Sequence, residues 1–398
     1  MRTSAVRSDY LFFARSLRPI GGEEALAARC LECLLQRGSV TVVTAPELDL
    51  EGLDRMAGTS LAGAAFELIP TGSPLFEALS RLGIPTRLLS FRRLLAAVRA
   101  HRRRGQPCIS IGADLDLGPG EGVWQYIAAV PRFHSKLLKA QNLASSQTWW
   151  GKALALLNIA LCDLLIPWRD ARTAGNATAT VSQWIGEKFE EAYGRPADLV
   201  LHPAPLGFSH PSEEKPVWGF VSPCRAEPNK AWLPMIELVR RLRERGHAVS
   251  FTMLGLGQEE DAFVRLLRAE AERNADWLRF ELNAPRERLD RVLSDHAFGL
   301  HLALREGYGM AVAEMMLAGC LTGVADSGGQ TEIVTEPELR FSSLDDAVEK
   351  WHLILCNPDL RLRLQASQQS RRARYTREAF EADFHRALDD FEARLARR

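Results

Sequence analysis

The sequence predicts an α/β protein of two domains, each built on a parallel β-sheet with helices on its faces. Three observations support this prediction. Short apolar runs alternate with segments of helical periodicity, and a proline-rich segment interrupts the alternation near the middle of the chain. The composition, with 46% hydrophobic and 25% charged residues in 398, is that of a globular chain long enough for two domains.

The first residues have the pattern of a βαβ unit. An apolar and aromatic run at Tyr10 to Ala14 predicts a strand, and Gly21 and Gly22 then break the chain. Helical periodicity covers Glu23 to Gln36, and a β-branched run follows at Val40 to Thr44. Because such a crossover joins parallel strands, the first sheet is predicted to be parallel.

The rest of the first half continues the alternation. Strands are predicted at Cys108 to Gly112 and Thr178 to Val181, and helices at Trp149 to Leu165 and Ser182 to Tyr193. The apolar stretch 153–168 contains polar residues and is short for a membrane span, so we expect a buried helix there.

The segment Leu201 to Pro216 contains four prolines and predicts an interdomain linker. The predicted domains are 1–205 and 217–376, with 206–216 as linker and a helix at 377–398 that packs across the domain boundary. Five strands are predicted in the second half: Val217 to Val221, Val249 to Leu254, Leu278 to Leu282, Phe298 to Leu302 and Leu321 to Ala325. Helices are predicted between them, as at Trp232 to Arg245 and Asp261 to Arg273. Two Rossmann-like domains facing each other across a cleft are expected, with the ligand in that cleft.

Charge and cysteine content narrow the function. The 50 basic residues balance 50 acidic ones, which argues against a surface built for nucleic acid. Seven scattered cysteines and no signal peptide favour reduced thiols and a cytoplasmic location. Cys30 and Cys33 form a CxxC on a predicted apolar helix stripe, where core packing is expected, and the sequence contains no zinc-binding pattern.

The stretch Arg305 to Cys320 indicates a ligand site. Glu306 closes a predicted strand, Gly307 and Gly309 allow the backbone to bend around a ligand, and a helix then runs to about Ala318. The first turn of a helix presents unpaired N–H groups, which bind anions. Glu314 lies on the same helix, about 7.5 Å further along its axis.

A second candidate follows the first strand of the second half. Arg225 and Lys230 stand five residues apart between a strand end and a helix start. Two cations at the positive end of a helix are unfavourable unless an anion offsets them. Together they predict a diphosphate site.

These residues resemble the retaining glycosyltransferases of family 4, which have the GT-B fold. The resemblance rests on Arg225 and Lys230, the turn Gly255-Leu-Gly257, the E-x7-E pair Glu306 and Glu314, and Gly328-Gly329-x-x-Glu332, in the family's order over about 170 residues. The first half is similar more weakly, through Gly21-Gly22-Glu23 and Val181-Ser182.

The resemblance implies a role for each motif. Arg225 and Lys230 would bind the donor diphosphate, Glu306 the donor-sugar hydroxyls near the reacting carbon, and Glu314 the ribose. The amides of Gly307, Tyr308, Gly309 and Met310 would contact sugar and phosphate, and the loop of Gly21 and Gly22 would face the reaction centre. Relatives often carry a histidine where this chain has Ala128 or Ala129, and His134 is displaced from that position, so no histidine role is assigned.

The predicted function is that of a retaining, metal-independent hexosyltransferase without a cofactor. It would move a hexosyl or N-acetylhexosaminyl group from a nucleotide diphosphate sugar to a saccharide, lipid-linked or small-molecule acceptor. The interpretation favours UDP over GDP as the carrier. Two alternatives stay open: a nucleotide-sugar epimerase of the same fold, and a catalytically silent subunit that binds sugar nucleotides.

Two other features have competing interpretations. Asp114-Leu-Asp116 matches a metal-binding DxD, but a solvated loop is the expected structure. The segment Arg87 to Arg104 contains seven arginines and no acid among apolar residues. It predicts either a helix that faces the core with a solvated arginine face, or a peripheral contact with an anionic membrane, at its inner face.

Overall fold

The computed structural model describes residues 8–45, 47–71, 87–103, 105–112, 114–117, 122–131, 134, 136, 149–165, 168–205 and 215–397. The chain forms two compact units. The first comprises residues 1–201 and 381–398, and the second comprises residues 202–380. The sequence predicts a first domain that ends at 205, and positions 206–214 of the predicted linker lie outside the described residues.

The first unit contains a parallel sheet whose strand order is β3-β2-β1-β4-β5-β6-β7. The strands are β1 Ser8–Ala14, β2 Gly38–Thr44, β3 Glu67–Pro70, β4 Cys108–Gly112, β5 Val123–Ile127, β6 Ala177–Thr180 and β7 Leu199–Val200. All residues of β4 and β5 are buried, as expected for strands covered on both faces.

Helices accompany this sheet. They are α1 Gly22–Leu35, α2 Leu50–Ala57, α3 Arg87–His101, α4 Trp149–Leu165, α5 Asp170–Ala174 and α6 Gln183–Tyr193. Helix α6 begins after Ser182, whose side chain accepts a hydrogen bond from the Ile185 amide at 3.1 Å and so satisfies an otherwise unpaired donor. Cys30 and Cys33 are both buried in α1, and burial raises the pKa of Cys30.

The second unit contains a parallel sheet of strand order β10-β9-β8-β11-β12-β13. The strands are β8 Val217–Arg225, β9 Ser250–Leu256, β10 Leu278–Leu282, β11 His296–His301, β12 Leu321–Ala325 and β13 Arg340–Phe341. The helices are α7 Trp232–Glu244, α8 Ala262–Arg273, α9 Arg286–Asp295, α10 Met310–Ala318, α11 Gln330–Ile333, α12 Leu344–Cys356 and α13 Pro358–Ser370. The predicted α/β architecture of two parallel sheets is therefore confirmed.

The C-terminal helix α14, Arg377–Ala396, begins in the second unit and continues in the first. Its Phe384 and Phe391 pack against Trp124 of β5, with ring centroids 5.3 and 6.2 Å apart. Near its end, Glu392 accepts a hydrogen bond from the Tyr10 hydroxyl of β1. Aromatic packing therefore fixes the last turns of the chain to the first sheet.

Both strand orders place a switch point between the first strand of the unit and its fourth. In the first unit β1 lies beside β4, and in the second β8 lies beside β11. The connections that follow such a pair of strands leave in opposite directions, which opens a crevice at their carboxyl ends. Residues after β8 and β11 are thereby brought together although about 80 positions separate them in sequence.

Helix α4 differs from the expectation of a buried helix. Ile159 and Cys162 are buried, but seven of its large apolar side chains are exposed. The sequence is apolar on most of its circumference, so periodicity could not indicate which side faces the protein. Among the described residues, no helix is both long and apolar enough to cross a membrane.

The expected solvated loop at Asp114 and Asp116 is also wrong, because both side chains are buried. The Tyr193 hydroxyl donates to the Asp114 carboxylate at 2.6 Å. The Asp116 carboxylate lies 3.2 Å from the Arg99 guanidinium and accepts from the Arg169 amide at 2.8 Å. Asp116 therefore joins α3 to the segment before α5, and Asp114 binds α6 through Tyr193.

Helix α3 directs its apolar side toward the core. Leu94, Leu95 and Val98 are buried in one cluster with residues of β1, β2 and β4. Of its arginines, Arg99 is committed to Asp116, and Arg103 just beyond the helix pairs with Asp9 at 3.2 Å. Of the predicted basic segment, Arg104 lies outside the described residues.

Candidate functional site

The candidate site lies at the carboxyl ends of β8 and β11, the switch point of the second unit. Strand β8 ends at Arg225, and a 3₁₀ turn at Pro228–Lys230 follows it. Strand β11 ends at His301, and the chain then reaches Glu306 before α10. The adjacency of the two strands brings the residues that follow them into contact.

Lys230 and Glu306 form the central ion pair. The Lys230 ammonium lies 2.7 Å from Glu306 Oε2, and both side chains are largely buried, with exposures of 15% and 20%. Ala231, just after the turn, has a left-handed backbone (φ +56°), which ends the 3₁₀ turn and starts α7. The turn thus holds Lys230 toward the end of β11. The sequence spacing associates Lys230 only with Arg225 and does not indicate this contact.

His301 adds a second contact to Glu306, with its Nε2 atom 3.4 Å from the same carboxylate oxygen. Burial by itself would raise the pKa of the Glu306 carboxyl. The hydrogen bond from His301 and the charges of His301 and Lys230 outweigh burial, and the pKa lies well below its ordinary value. Glu306 is therefore a carboxylate acceptor, not a carboxylic acid donor, at neutral pH.

Gly328 and Gly329 hold the backbone of Glu306 in place. Glu306 and Gly328 form an isolated parallel bridge, and the Gly329 amide donates to the Glu306 carbonyl at 2.8 Å. Gly328 has a positive φ of 82°, and a Cβ there would lie 2.3 Å from the Glu306 carbonyl oxygen. Only glycine fits both the left-handed backbone and the close approach.

The loop Gly307 to Gly309 leads directly into α10. Gly309 has a positive φ of 105° and precedes the first helical residue, Met310, without a side-chain cap. The first turn of α10 is therefore open to an anionic group at its N-terminus, next to Glu306 and Lys230. Tyr308 is buried, and its hydroxyl has no hydrogen-bond partner among the described residues.

Glu314 is held by an internal cation that the sequence did not indicate. Its carboxylate lies 2.7 Å from the Arg286 guanidinium, and Arg286 also contacts Asp290 at 2.5 Å. Burial lowers the pKa of Arg286, but the two carboxylates outweigh burial and raise it. A ribose hydroxyl at Glu314 would add to an existing ion pair, and this role stays a prediction. The sequence feature that could have indicated this partner of Glu314 is Arg286, at the start of the helix that follows β10.

Arg225 has a looser environment than Lys230. Its side chain is 46% exposed and pairs with Glu227 at 2.9 Å. Its main-chain carbonyl accepts from the Trp232 indole at 2.9 Å, which fixes the backbone and leaves the guanidinium near solvent. The two predicted diphosphate ligands thus differ, one being buried against Glu306 and the other exposed.

Sequence reasoning missed His202 and gave no role to Glu332. His202 Nε2 lies 3.1 Å from the Glu332 carboxylate, and its ring stacks on Tyr308 with centroids 5.5 Å apart. His202 falls in the proline-rich segment that was interpreted only as a linker. Its contacts are to residues distant in sequence, so no local pattern could identify it.

In the first unit, Gly21 and Gly22 lie at the switch point of that unit's own sheet. Gly21 precedes α1 and its backbone is extended, without a side-chain cap. Gly112 ends β4 with a positive φ of 112°, and a Cβ there would lie 2.3 Å from Glu23 Oε1. The start of α1 therefore packs on the end of β4. A role for this loop at the reaction centre stays a prediction.

The position where relatives often carry histidine also lies in the first unit. Ala128 and Ala129 follow β5 directly. His134 lies 3.5 Å from Asp170 and packs edge-on against Tyr193, with ring centroids 5.1 Å apart. The structure therefore gives His134 partners within its own unit.

Comparison with known families identifies the second half of the chain. Residues 208–371 match the model of the family described as Glycosyl transferases group 1. This range contains Arg225, Lys230, Glu306, Glu314 and both sides of the switch point. The candidate site therefore lies within the segment that is similar to this family.

Curated relatives match over part of the chain. GDP-Man:Man(3)GlcNAc(2)-PP-Dol alpha-1,2-mannosyltransferase of Xenopus laevis is 30% identical over 112 residues, covering 26% of this chain and 23% of the relative. The Homo sapiens protein of the same name is 29% identical over 116 residues, covering 27% and 24%. The match thus spans about a quarter of the length of these relatives.

Solved structures match nearly the whole chain. HepE of Anabaena, in complex with UDP and glucose, has a TM-score of 0.61 at 13% identity over 96% of this chain and 99% of that one. Sucrose-phosphate synthase of Thermosynechococcus elongatus has a TM-score of 0.65 at 14% identity, covering 97% and 100%. WaaG, a glycosyltransferase involved in lipopolysaccharide biosynthesis, gives 0.62 at 13%, covering 94% and 98%. These likenesses establish the predicted GT-B fold.

We expect Gly328→Ala to lower the free energy of unfolding of the second unit more than Gly246→Ala does. Gly246 has a similar φ of 91° but nothing within 4 Å of the added Cβ, so only the backbone cost of about 1–2 kcal/mol applies. At Gly328 the clash with the Glu306 main chain raises the total to about 3 kcal/mol. Urea unfolding measures both, and equal losses of unfolding free energy would contradict the backbone clamp.

Proposed function

We propose that this protein is a retaining glycosyltransferase of family 4 that works without a metal ion. It transfers a hexosyl or N-acetylhexosaminyl group from a nucleotide diphosphate sugar to a saccharide, lipid-linked or small-molecule acceptor. The observation that supports this most directly is the buried pair of Lys230 and Glu306 beside the uncapped N-terminus of α10. A cation, an ionised carboxylate and an anion-binding helix end are what a sugar diphosphate requires.

The chemistry assigns complementary work to these groups. The bond between the anomeric carbon and the diphosphate oxygen breaks, and its electron pair leaves with the diphosphate. A bond forms between the acceptor oxygen and the anomeric carbon, and the acceptor proton passes to the leaving diphosphate. Lys230, Arg225 and the amides after Gly309 stabilise the departing charge. The ionised Glu306 accepts hydrogen bonds from sugar hydroxyls and favours the positive charge that develops on the ring.

Retention is proposed because Glu306 is placed to bind and not to attack. Its Oε2 atom lies 2.7 Å from the Lys230 ammonium and 3.4 Å from His301 Nε2, and both contacts make the carboxylate a weaker nucleophile. Attack by the acceptor on the face from which the diphosphate leaves needs no carboxylate nucleophile. The donor phosphates then remain beside the acceptor hydroxyl and can receive its proton.

UDP is the proposed carrier, with GDP as the alternative. The name of the curated mannosyltransferase relatives specifies GDP-mannose, whereas the HepE structure contains UDP. A nucleotide-sugar epimerase of the same fold remains the alternative enzyme, and a silent binding subunit the alternative outside catalysis. A screen of UDP- and GDP-sugars separates these possibilities, since transfer, epimerisation and binding without turnover give different products.

We expect Glu306→Ala to lower kcat at least about tenfold in the donor screen, equivalent to about 1.4 kcal/mol in the barrier. The loss follows from removing the only side-chain carboxylate that contacts Lys230 at the described switch point. Glu259→Ala serves as the control, because Glu259 is exposed and lies on the loop before α8. Unchanged turnover in Glu306→Ala would remove the catalytic assignment.

Lys230→Ala should abolish most of the thermal stabilisation that UDP or GDP gives the wild type. Ligand binding to the folded state raises the midpoint of unfolding, and the increase shrinks as the affinity falls. Lys188→Ala, which changes a partly exposed lysine of α6 in the first unit, should keep the full shift. A shift in Lys230→Ala equal to that of the wild type would rule out the phosphate role.

A further inference from the structure

The outer face of α4 is apolar and exposed over the length of the helix. Its exposed large side chains are Trp149, Trp150, Leu156, Leu157, Leu161, Leu164 and Leu165, with exposures from 41% to 78%. Ala153 and Ala160 are exposed between them, and Lys152 is the charged residue on this side. A soluble protein rarely presents an unbroken apolar surface of this extent without a partner.

The opposite side of α4 packs on α3, so the helix forms an outer layer. Ile159 and Cys162 are buried there, and Asn158 and Asp163 are half-buried. The polar residues therefore lie toward the protein while leucines lie toward solvent. This arrangement is the reverse of a water-facing amphipathic helix.

The charges around this face identify the partner. Helix α3, on which α4 packs, has no acidic residue in its sequence and an exposed Arg93, and the exposed Lys152 adds a cation at the start of α4. Trp149 and Trp150 stack on each other at the same end, with centroids 3.6 Å apart. Tryptophan and cationic side chains around a leucine surface are typical of segments at the interface of anionic membranes.

We infer that α4 docks flat on an anionic lipid surface, with its leucine face in the acyl boundary and the exposed cations Lys152 and Arg93 near the headgroups. The helix of 17 residues is about 25 Å long, shorter than the hydrocarbon core of about 30 Å. It therefore lies on the membrane. The apolar contact belongs to α4 and not to α3, whose Leu94 and Leu95 are buried in the core cluster.

Vesicle sedimentation of the full chain tests this surface, and it requires no turnover. Wild type should sediment with vesicles of phosphatidylcholine and phosphatidylglycerol, and the tryptophan emission should shift to the blue. Leu157→Glu combined with Leu161→Glu should lower the partition coefficient at least about tenfold. Leu362→Glu is the matched control, because Leu362 is 63% exposed on α13 of the second unit and should leave sedimentation unchanged.

Three results would overturn the membrane assignment. The first is a wild type that stays in the supernatant. The second is equal binding to neutral phosphatidylcholine vesicles, since the cations Lys152 and Arg93 would then contribute nothing to binding. The third is a wild-type dimer that the double substitution converts to monomer without any change in sedimentation, because a second copy of the chain would then cover the face. Transfer to a soluble acceptor tests the proposed function separately.

A second, independent observation concerns His247, His352 and Cys356 in the second unit. His352 and Cys356 stand four residues apart on α12 and so share one face, and His247 reaches them from the turn after α7. His247 Nε2 lies 2.8 Å from His352 Nδ1, and Cys356 Sγ lies 3.9 Å from the same nitrogen. One ligand atom from each residue lies within 4.8 Å of the others.

The geometry points to a zinc site of two imidazoles and one thiolate. Tetrahedral zinc with Zn–N near 2.05 Å and Zn–S near 2.3 Å separates nitrogens by about 3.3 Å and nitrogen from sulfur by about 3.6 Å. Shifts of about 1 Å in three partly exposed side chains meet these distances. On binding, the Cys356 thiol loses its proton to solvent, and water completes the coordination. The ion would join the turn after α7 to α12.

Cobalt substitution tests this site in full-length protein without an affinity tag. Co²⁺ should give a thiolate-to-cobalt charge-transfer band, and equimolar Zn²⁺ should remove it. The band should be lost in Cys356→Ser and reduced at least tenfold in His247→Ala at the same Co²⁺ concentration. Cys224→Ser is the control, because Cys224 is the other cysteine that is not fully buried, and it should keep the band. Absence of the band in wild type, or its persistence in Cys356→Ser, would refute the site.

Discussion

The ion pair between Lys230 and Glu306 is the interaction on which the candidate site depends. Each partner follows a different strand of the switch point, so the pair can form only if β8 and β11 lie side by side. Both side chains are largely buried, and separating them would leave a charge without its partner in a poorly solvated place. The pair therefore ties the position of the cation to that of the carboxylate, and both to the sheet.

The backbone around this pair fixes the position of the Glu306 carboxylate. Gly328 and Gly329 bond to the main chain of Glu306, so the carboxylate is fixed from behind as well as through Lys230. Gly309 then turns the chain into α10, whose position is secured further along by Arg286 and Glu314. The two glutamates of the motif thus have different contacts. Glu306 lies at the switch point beside Lys230, and Glu314 joins α10 to Arg286.

The sequence predicted the elements that rest on local pattern. The parallel strands and the glycine-bounded loop before α10 can be predicted, because apolar runs and glycines determine the structure of the few residues around them. The partner of Glu314 cannot be predicted in this way, since Arg286 is 28 positions away and belongs to another helix. The pattern predicts solvated side chains for Asp114 and Asp116, because their buried partners Tyr193 and Arg99 are distant in sequence. The prediction of a buried α4 is wrong for another reason, because periodicity cannot indicate which side of a helix is buried when nearly its whole circumference is apolar.

The contrast between Arg225 and Lys230 indicates how a diphosphate can be accepted. The pair of Arg225 and Glu227 is nearly half exposed, and such surface pairs stabilise a protein by only about 0–1 kcal/mol. Arg225 can therefore exchange Glu227 for a phosphate at little cost. Moving Lys230 would remove the cation from Glu306, so in the proposed donor complex Lys230 keeps that contact and uses its remaining donors for the diphosphate. Under the proposed function, the buried Lys230 sets the position of the diphosphate, and the exposed Arg225 adapts to it.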